Sequence, residues 1–174
     1  MNEAIQNMLT RRSVRKYKQD KIPKEILDEI IKAGTYAPTG KNRQAPIILA
    51  ITNKEIRDKL SKLAAKVRGT ENIDPFYGAP IVLVVLAKKE YITYLFDGSV
   101  VMQNLMLAAH SLGIGSCWIH RAKEVFETEE GKEILKTLGI EGEYEGIGHC
   151  ILGYSAEGEL KAAPRKSNYV YYID

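Results

Sequence analysis

An α+β fold, with helices flanking one sheet, is the class this sequence predicts, and three observations carry it. Residues 81–87 are uniformly apolar and rich in β-branched side chains, as expected of a strand covered on both faces. Apolar residues at helical spacing recur on either side of that run. Strands and helices are mixed without a regular βαβ beat. At 174 residues the chain fits a single domain, 1–174, able to bury a core of ordinary size. No internal repeat or linker divides it.

The elements follow in order. Ile5, Met8 and Leu9 form a short helical face that runs into a cluster of arginines. Pro23 opens a second helix, in which Ile22, Ile26, Leu27, Ile30 and Ile31 share one side; it ends near Gly34. A loop through Pro38, Thr39, Gly40, Lys41 and Asn42 follows and closes at Pro46. Residues 47–52 read as a strand, and Asn53 can cap a helix running to Lys66. Residues 69–78 read as an exposed connection, with Asp74-Pro75 as the turn signal. After the strand at 81–87, Asp97-Gly98-Ser99 opens a helix with almost no polar side. Val100, Val101, Met102, Leu105, Met106, Leu107, Ala108, Ala109 and Leu112 must be buried, in the domain centre or between subunits. Residues 116–120 and 146–154 read as further strands, with short helical segments at 122–126 and 131–138. The tail, residues 169–173, is strand-like and aromatic, and should pair with a sheet in its own subunit or a partner.

Composition excludes several classes. The chain is 45% hydrophobic and 27% charged, as a globular protein is, and its net charge of +3 is too small to argue for nucleic acid. The first residues lack the build of a signal peptide, and no apolar run reaches the length of a membrane span. Cys117 and Cys150 form no disulfide framework, so a reduced, cytoplasmic protein is expected.

Among chemical motifs, Arg11-Arg12-Ser13-Val14-Arg15 stands out. Three guanidiniums and a hydroxyl within five residues suit a phosphate, and Arg11 and Arg15 can face one way from a helix or tight turn. A solvated basic face is the bland alternative. A nucleophile reading of Ser116, Cys117 and His120 lacks an assembled triad. A zinc site from Cys117, His120, His149 and Cys150 fails because the ligands alternate across strands, so no metal is expected. His110 reads as a core histidine. Gly113-Ile114-Gly115 lacks the third glycine of a dinucleotide loop, and no Walker-type Gly-Lys-Ser/Thr occurs. A second basic cluster, Arg165-Lys166, precedes the aromatic tail.

Four motifs in order carry a resemblance. Arg11-Arg12-Ser13-Val14-Arg15 resembles the Arg-x-Ser-x-Arg/Lys opening of the FMN-dependent nitroreductase family. Pro38-Thr39-Gly40-Lys41-Asn42-Arg43-Gln44-Ala45-Pro46 is similar to its Pro-Ser/Thr-x-x-Asn-x-Gln-Pro loop. Residues 104–109 and 112–119 resemble its buried helix and Gly-x-Gly-Ser-Cys-Trp-Ile strand. Gly153-Tyr154, followed by Pro164-Arg165-Lys166, resembles its ending.

The resemblance implies a central, mainly antiparallel sheet and an intertwined homodimer whose C-terminal strand is exchanged onto the partner. It implies an FMN site shared between subunits. Arg11, Arg12, Ser13 and Arg15 would hold the phosphate, ribityl chain and pyrimidine edge, with Arg165 and Lys166 completing the phosphate site. Pro38, Thr39 and Asn42 would reach the same FMN from the other subunit. Trp118, Ile119, His120 and Arg121 would line the ring, the main-chain N–H near His120 donating to flavin N5. NADH or NADPH would be the reductant, and a nitroaromatic, quinone or similar small molecule the acceptor, with no dedicated side-chain acid or nucleophile. The alternative within the fold is a protein that stores or modifies FMN without turnover. The chain is short for the family, and His120-Arg121 stands where many members have small or acidic residues.

Overall fold

The computed structural model describes residues 1–173. Its centre is a four-stranded antiparallel sheet in the order β1-β2-β4-β3, formed by β1 (Ile47–Ile51), β2 (Ile81–Lys88), β3 (Gly115–Ile119) and β4 (Tyr144–Gly153). Helices α1 (Glu3–Thr10), α2 (Lys24–Thr35), α3 (Lys54–Arg68), α4 (Tyr94–Ser111), α5 (Ala122–Glu127) and α6 (Glu129–Thr137) complete it. The predicted α+β class and helix-flanked sheet are what the chain forms.

Alternation along β2 explains the layering. Val82, Val84 and Leu86 face one core, with α3, α5 and α6, while Ile81, Leu83, Val85 and Ala87 face the other, with α2 and α4. A strand with this pattern has no polar face to give to water, so both sides of the sheet need helical cover. β4 continues the pattern, with Ile151 on the first side and Cys150 and Leu152 on the second. Its register slips between Val85 and Leu86 of β2, which pair with Gly148 and Gly146.

Local signals set the helix ends. The Asn2 side chain accepts from Ala4 N–H at 2.9 Å, Asn53 from Ile56 N–H at 3.1 Å, and Thr128 from Gly131 N–H at 3.0 Å. Helix α3 stops at Gly69, whose φ of 75° is the left-handed conformation that glycine adopts freely. Pro23 sits one residue before α2 rather than in its first turn.

Two expectations need correction, at the start of α4 and at residues 69–78, and two others concern surfaces that one chain does not cover. Helix α4 begins at Tyr94, so Asp97 lies in its first turn instead of preceding it. Only one face of α4 is buried in this chain, through Val101, Met102, Leu105, Met106 and Ala109, whereas Leu95, Phe96 and Val100 are exposed. The tail forms a 3-10 turn at Ser167–Tyr169 and no strand; Tyr171 is 78% and Ile173 100% exposed. Among the described residues it pairs with no strand, and residues 159–166 before it form none. Finally, residues 69–78 are not simply exposed. Phe76 is fully buried, and Asp74 accepts from Phe76 N–H at 2.9 Å, Gly78 N–H at 2.7 Å and the Ser61 hydroxyl at 2.6 Å.

That turn is fastened by Arg57, itself buried, which donates to Asp74 at 2.5 Å and to the Ala79 carbonyl at 2.9 Å. Burial opposes ionisation of Asp74, but the hydrogen bonds from Ser61, Arg57, Phe76 and Gly78 outweigh it and hold the carboxyl below its ordinary value. Asp74→Ala leaves a buried guanidinium without its main partner, and is expected to lower stability by about 3 kcal/mol in denaturant titration. Asp58→Ala removes the more exposed partner of the same arginine and should cost under about 1 kcal/mol. Equal effects of the two would refute this assignment of the anchor.

Candidate functional site

The arginine cluster begins where α1 ends: Arg11 is the residue that closes the helix, and its N–H donates to the Asn7 carbonyl at 3.1 Å. The segment that follows is not helical. Ser13 bridges Ser116 in parallel, Val14 N–H donates to the Ser116 carbonyl at 3.0 Å, and Tyr17 bridges Ser155. The expected helical or tight-turn fork of Arg11 and Arg15 is therefore replaced by a stretch laid along the outer edge of β3. Alternation sends Val14 into the core and leaves Arg15 outside. The Tyr17 hydroxyl is buried and donates to the Val14 carbonyl at 2.6 Å; burial pushes its pKa up. Arg15 N–H donates to the Glu157 carboxylate at 2.9 Å.

Helix α4 supports the cluster from behind. Asn7 donates to the Leu107 carbonyl at 2.9 Å, and Thr10 Oγ1 lies 2.9 Å from His110 Nε2. His110 titrates below its ordinary value because of burial, then because of the Arg11 and Arg12 charges beside it. Arg12 Nη1 donates to the carbonyls of Leu9, at 2.8 Å, and Arg11, at 2.6 Å. Among the described residues, no carboxylate pairs with Arg11, Arg12, Arg15 or Arg165. Arg11 Nη1, Arg12 Nε and Ser116 Oγ are buried without a hydrogen-bond partner among those residues. Buried, unpaired donors on two guanidiniums are costly unless something accepts from them, and an anion is the acceptor whose charge matches.

The other predicted residues fall at three further places. Trp118 and Ile119 end β3, half-buried, with the Trp118 indole lying over Gly148, where a Cβ would strike it. His120 and Arg121 are exposed just beyond, and Arg121 has φ 76°, a strained conformation for a residue with a Cβ. Its guanidinium pairs with Glu124 at 2.6 Å. Pro38, Thr39 and Asn42 lie on the loop after α2, which includes the 3-10 turn Gly40–Asn42. Arg165 and Lys166 are exposed, with Lys166 5.5 Å from the Tyr169 ring centroid. Within one chain the cluster and the end of β3 share a sheet edge. No hydrogen bond or ion pair among the described residues joins either of them to the 38–42 loop or to Arg165 and Lys166.

Several residues of this region escaped the sequence reading. Ser116, counted only as a poor nucleophile, instead supplies the carbonyl that docks the cluster. His110, read as a core histidine, bonds Thr10 beside the arginines. Asp97 accepts from Gly40 N–H at 3.0 Å; a lone carboxylate inside an apolar helix was its signal. His149 and Cys150 point to opposite faces of β4, as alternation requires. The His149 ring is fully buried and packs against Phe76 at a tilt of 51°, with 5.1 Å between centroids.

The family model described as "Nitroreductase family" matches residues 8–72 and 68–154. A protein of Archaeoglobus fulgidus with a provisional NADH dehydrogenase/NAD(P)H nitroreductase name is 31% identical over 141 residues, covering 79% of this chain and 76% of that one. The crystal structure of a nitroreductase with bound FMN from Bacteroides fragilis superposes with a TM-score of 0.90 at 29% identity, covering 100% of both chains. Another nitroreductase with bound FMN, from Desulfitobacterium hafniense, gives 0.87 at 28% identity over 100% of both.

Burial holds the His149 pKa at about 4; the Ile119 and His120 carbonyls approach the ring without completing a hydrogen bond and only partly offset this. The unfolded chain takes up the proton first as pH falls, near the ordinary 6.5. Stability from neutral His149 is therefore complete above that pH and is lost as pH falls toward 4. The melting temperature is expected to fall more steeply across this window in the parent than in His149→Leu. Equal slopes would exclude His149 as the titrating group.

Proposed function

This chain belongs to the nitroreductase family, and on that premise we propose that it is an FMN-dependent NAD(P)H oxidoreductase, residues 1–174 acting as one FMN-binding domain. The observation that carries the proposal is the pair of buried, unpartnered donors, Arg11 Nη1 and Arg12 Nε, docked on the edge of β3. A flavin phosphate is a dianion, and this uncompensated guanidinium cluster fits it in charge and in donor chemistry. Bound FMN would supply two-electron chemistry, taking hydride at N5 from NADH or NADPH and passing electrons to a nitroaromatic, quinone or similar small acceptor.

The protein's part is binding and orientation. Arg11, Arg12 and Ser13 hold the phosphate and ribityl chain, with Arg165 and Lys166 adding charge to the phosphate site. Arg15 places positive charge at the pyrimidine edge, where it favours electron uptake. Trp118, Ile119, His120 and Arg121 would line the ring, and the main-chain N–H near His120 would be the donor at N5. Cys117 and Cys150 are buried and unpaired, in keeping with a reducing, cytoplasmic setting. Among the described residues no helix is long and apolar enough to cross a membrane.

The working unit in this proposal is a homodimer, with Pro38, Thr39 and Asn42 reaching the FMN held by the partner subunit. Three exposed apolar surfaces support it: Ile5, Met8 and Leu9 on α1; Leu95, Phe96 and Val100 on α4; and the tail from Tyr169. The tail's destination is the free edge of the partner's β1. That edge opens onto a groove of about 1080 Å³ lined by Ile48, Ala50, Ile56, Leu63, Ile134 and Leu138. An unpaired strand edge beside an apolar groove suits an extended aromatic segment.

Anaerobic stopped-flow on FMN-loaded protein tests the activity: NADH or NADPH bleaches the flavin, and a nitroaromatic or quinone restores its absorbance. Arg11→Ala should weaken FMN binding by about tenfold to a hundredfold, the range for losing a charge-assisted hydrogen bond, in fluorescence titration. Retention of flavin by that variant as by the parent refutes the phosphate assignment. Binding without bleaching by either nicotinamide points instead to storage or modification of FMN.

Truncation after residue 168 tests the dimer. The shortened chain is expected to sediment as a monomer at concentrations where the parent is dimeric. An unchanged dimer would show that the tail does not contribute to assembly.

A further inference from the structure

The loop after α2 is held against its own backbone preferences. Lys41, Asn42 and Gln44 have φ of 54°, 53° and 51°, the left-handed region disfavoured for residues with a Cβ, and none is glycine. Such a conformation persists only where its surroundings over-determine it. Asp97 supplies the anchor from α4. It is 5% exposed; one carboxylate oxygen accepts from Gly40 N–H at 3.0 Å and the other from the Thr93 hydroxyl at 2.9 Å. Gly40 meets that pair closely, since a Cβ there would collide with the Thr93 hydroxyl. Within the loop, Gln44 N–H donates to Thr39 Oγ1 at 3.0 Å and Asn42 N–H to the Thr39 carbonyl at 2.9 Å. Arg43 stacks over Tyr91 with 4.7 Å to the ring centroid. The contacts made by Gly40 and Arg43 to the rest of the chain thus run to one short stretch, residues 91–97, which leads into α4.

We propose that Asp97 is a positioning residue, which locks Thr39 and Asn42 in the one loop conformation that receives the partner subunit's FMN. This rests on the functional assignment above and adds a residue that touches no cofactor. An ionised carboxylate is an acceptor at both oxygens and so serves both donors at once, whereas an amide keeps only one such oxygen. Val101, Met102 and Leu105 of the same helix belong to the apolar core, so Asp97 stands apart from them as a buried carboxylate. A ligand loop of left-handed residues is otherwise prone to relax, which would convert a preformed site into one that must be ordered on binding.

Trypsin provides a readout free of cofactor, because Lys41 and Arg43 are exposed within the loop. In the full-length apo protein, Asp97→Ala is expected to be cut there at least about tenfold faster, the loss of a buried charge-assisted anchor being worth that much. FMN affinity, by fluorescence titration, should fall by a similar factor, and Asp97→Asn should lie between the two in both measurements while melting near the parent. Because Asp97 acts through Asn42, the loss in Asp97→Ala/Asn42→Ala should not exceed the larger single loss. Parental affinity and cleavage in Asp97→Asn and Asp97→Ala, or losses that add fully, would overturn the proposal. If neither the parent nor Arg11→Ala binds FMN, the functional assignment fails. The cleavage comparison then still decides whether Asp97 locks the loop.

Discussion

Burial of β2 and β4 on both faces is the constraint from which the rest of the molecule follows. No residue from Ile81 to Ala87 is more than 6% exposed, so neither side of the sheet can face water. Two helical layers result, and the strands that close the sheet must then lie outside, β1 beside β2 and β3 beside β4. Two glycines in β4 make the close approach on the β3 side feasible. A Cβ at Gly146 would strike the Ala122 backbone, and one at Gly148 the Trp118 indole. The end of β3 and the start of α5 are thereby brought down onto the sheet at the place where Trp118, Ile119, His120 and Arg121 emerge.

The two edges of the sheet meet different fates. Backbone pairing of Ser13 with Ser116 covers the β3 edge, and brings the arginine cluster to the same side as the end of β3. The orphaned donors Arg11 Nη1 and Arg12 Nε and the orphaned hydroxyl of Ser116 gather there, so a stability cost is concentrated at one spot. Among the described residues the β1 edge carries no strand on its outer side, and its flank is apolar. One polar and one apolar deficit thus lie at opposite edges of the sheet. An anion at the first and a second copy at the other would satisfy both, which is the economy of the proposed FMN-bound dimer.

Much of this was legible in the residues. The helix cap at Asn53, the amphipathic spacing of α2 and the uniform run of β2 are local signals, expressed within a few residues of where they act. The arginine motif was visible as chemistry but not as conformation. A charge run carries no period of its own, so nothing in it could distinguish a helical fork from a bridge along a strand. Arg57 and Asp74 are 17 residues apart, and Asp97 and Gly40 are 57 apart; such partners are found only by folding the chain. The sequence of 69–78 predicts an exposed connection because its turn residues carry a local signal and its buried Phe76 carries none.

The tail and α4 mark the boundary most clearly. Their apolar content said that both must be covered. The sequence by itself determined which segments shun water, which can be strands or helices, and which side chains can meet an anion. Only the tertiary structure decided that one face of α4 is satisfied within the chain, that its other face and the tail are not, and that the arginines lie on a sheet edge. The physical reason is that burial and hydrogen bonding are settled between residues distant in sequence. Periodicity records only the local half of that choice.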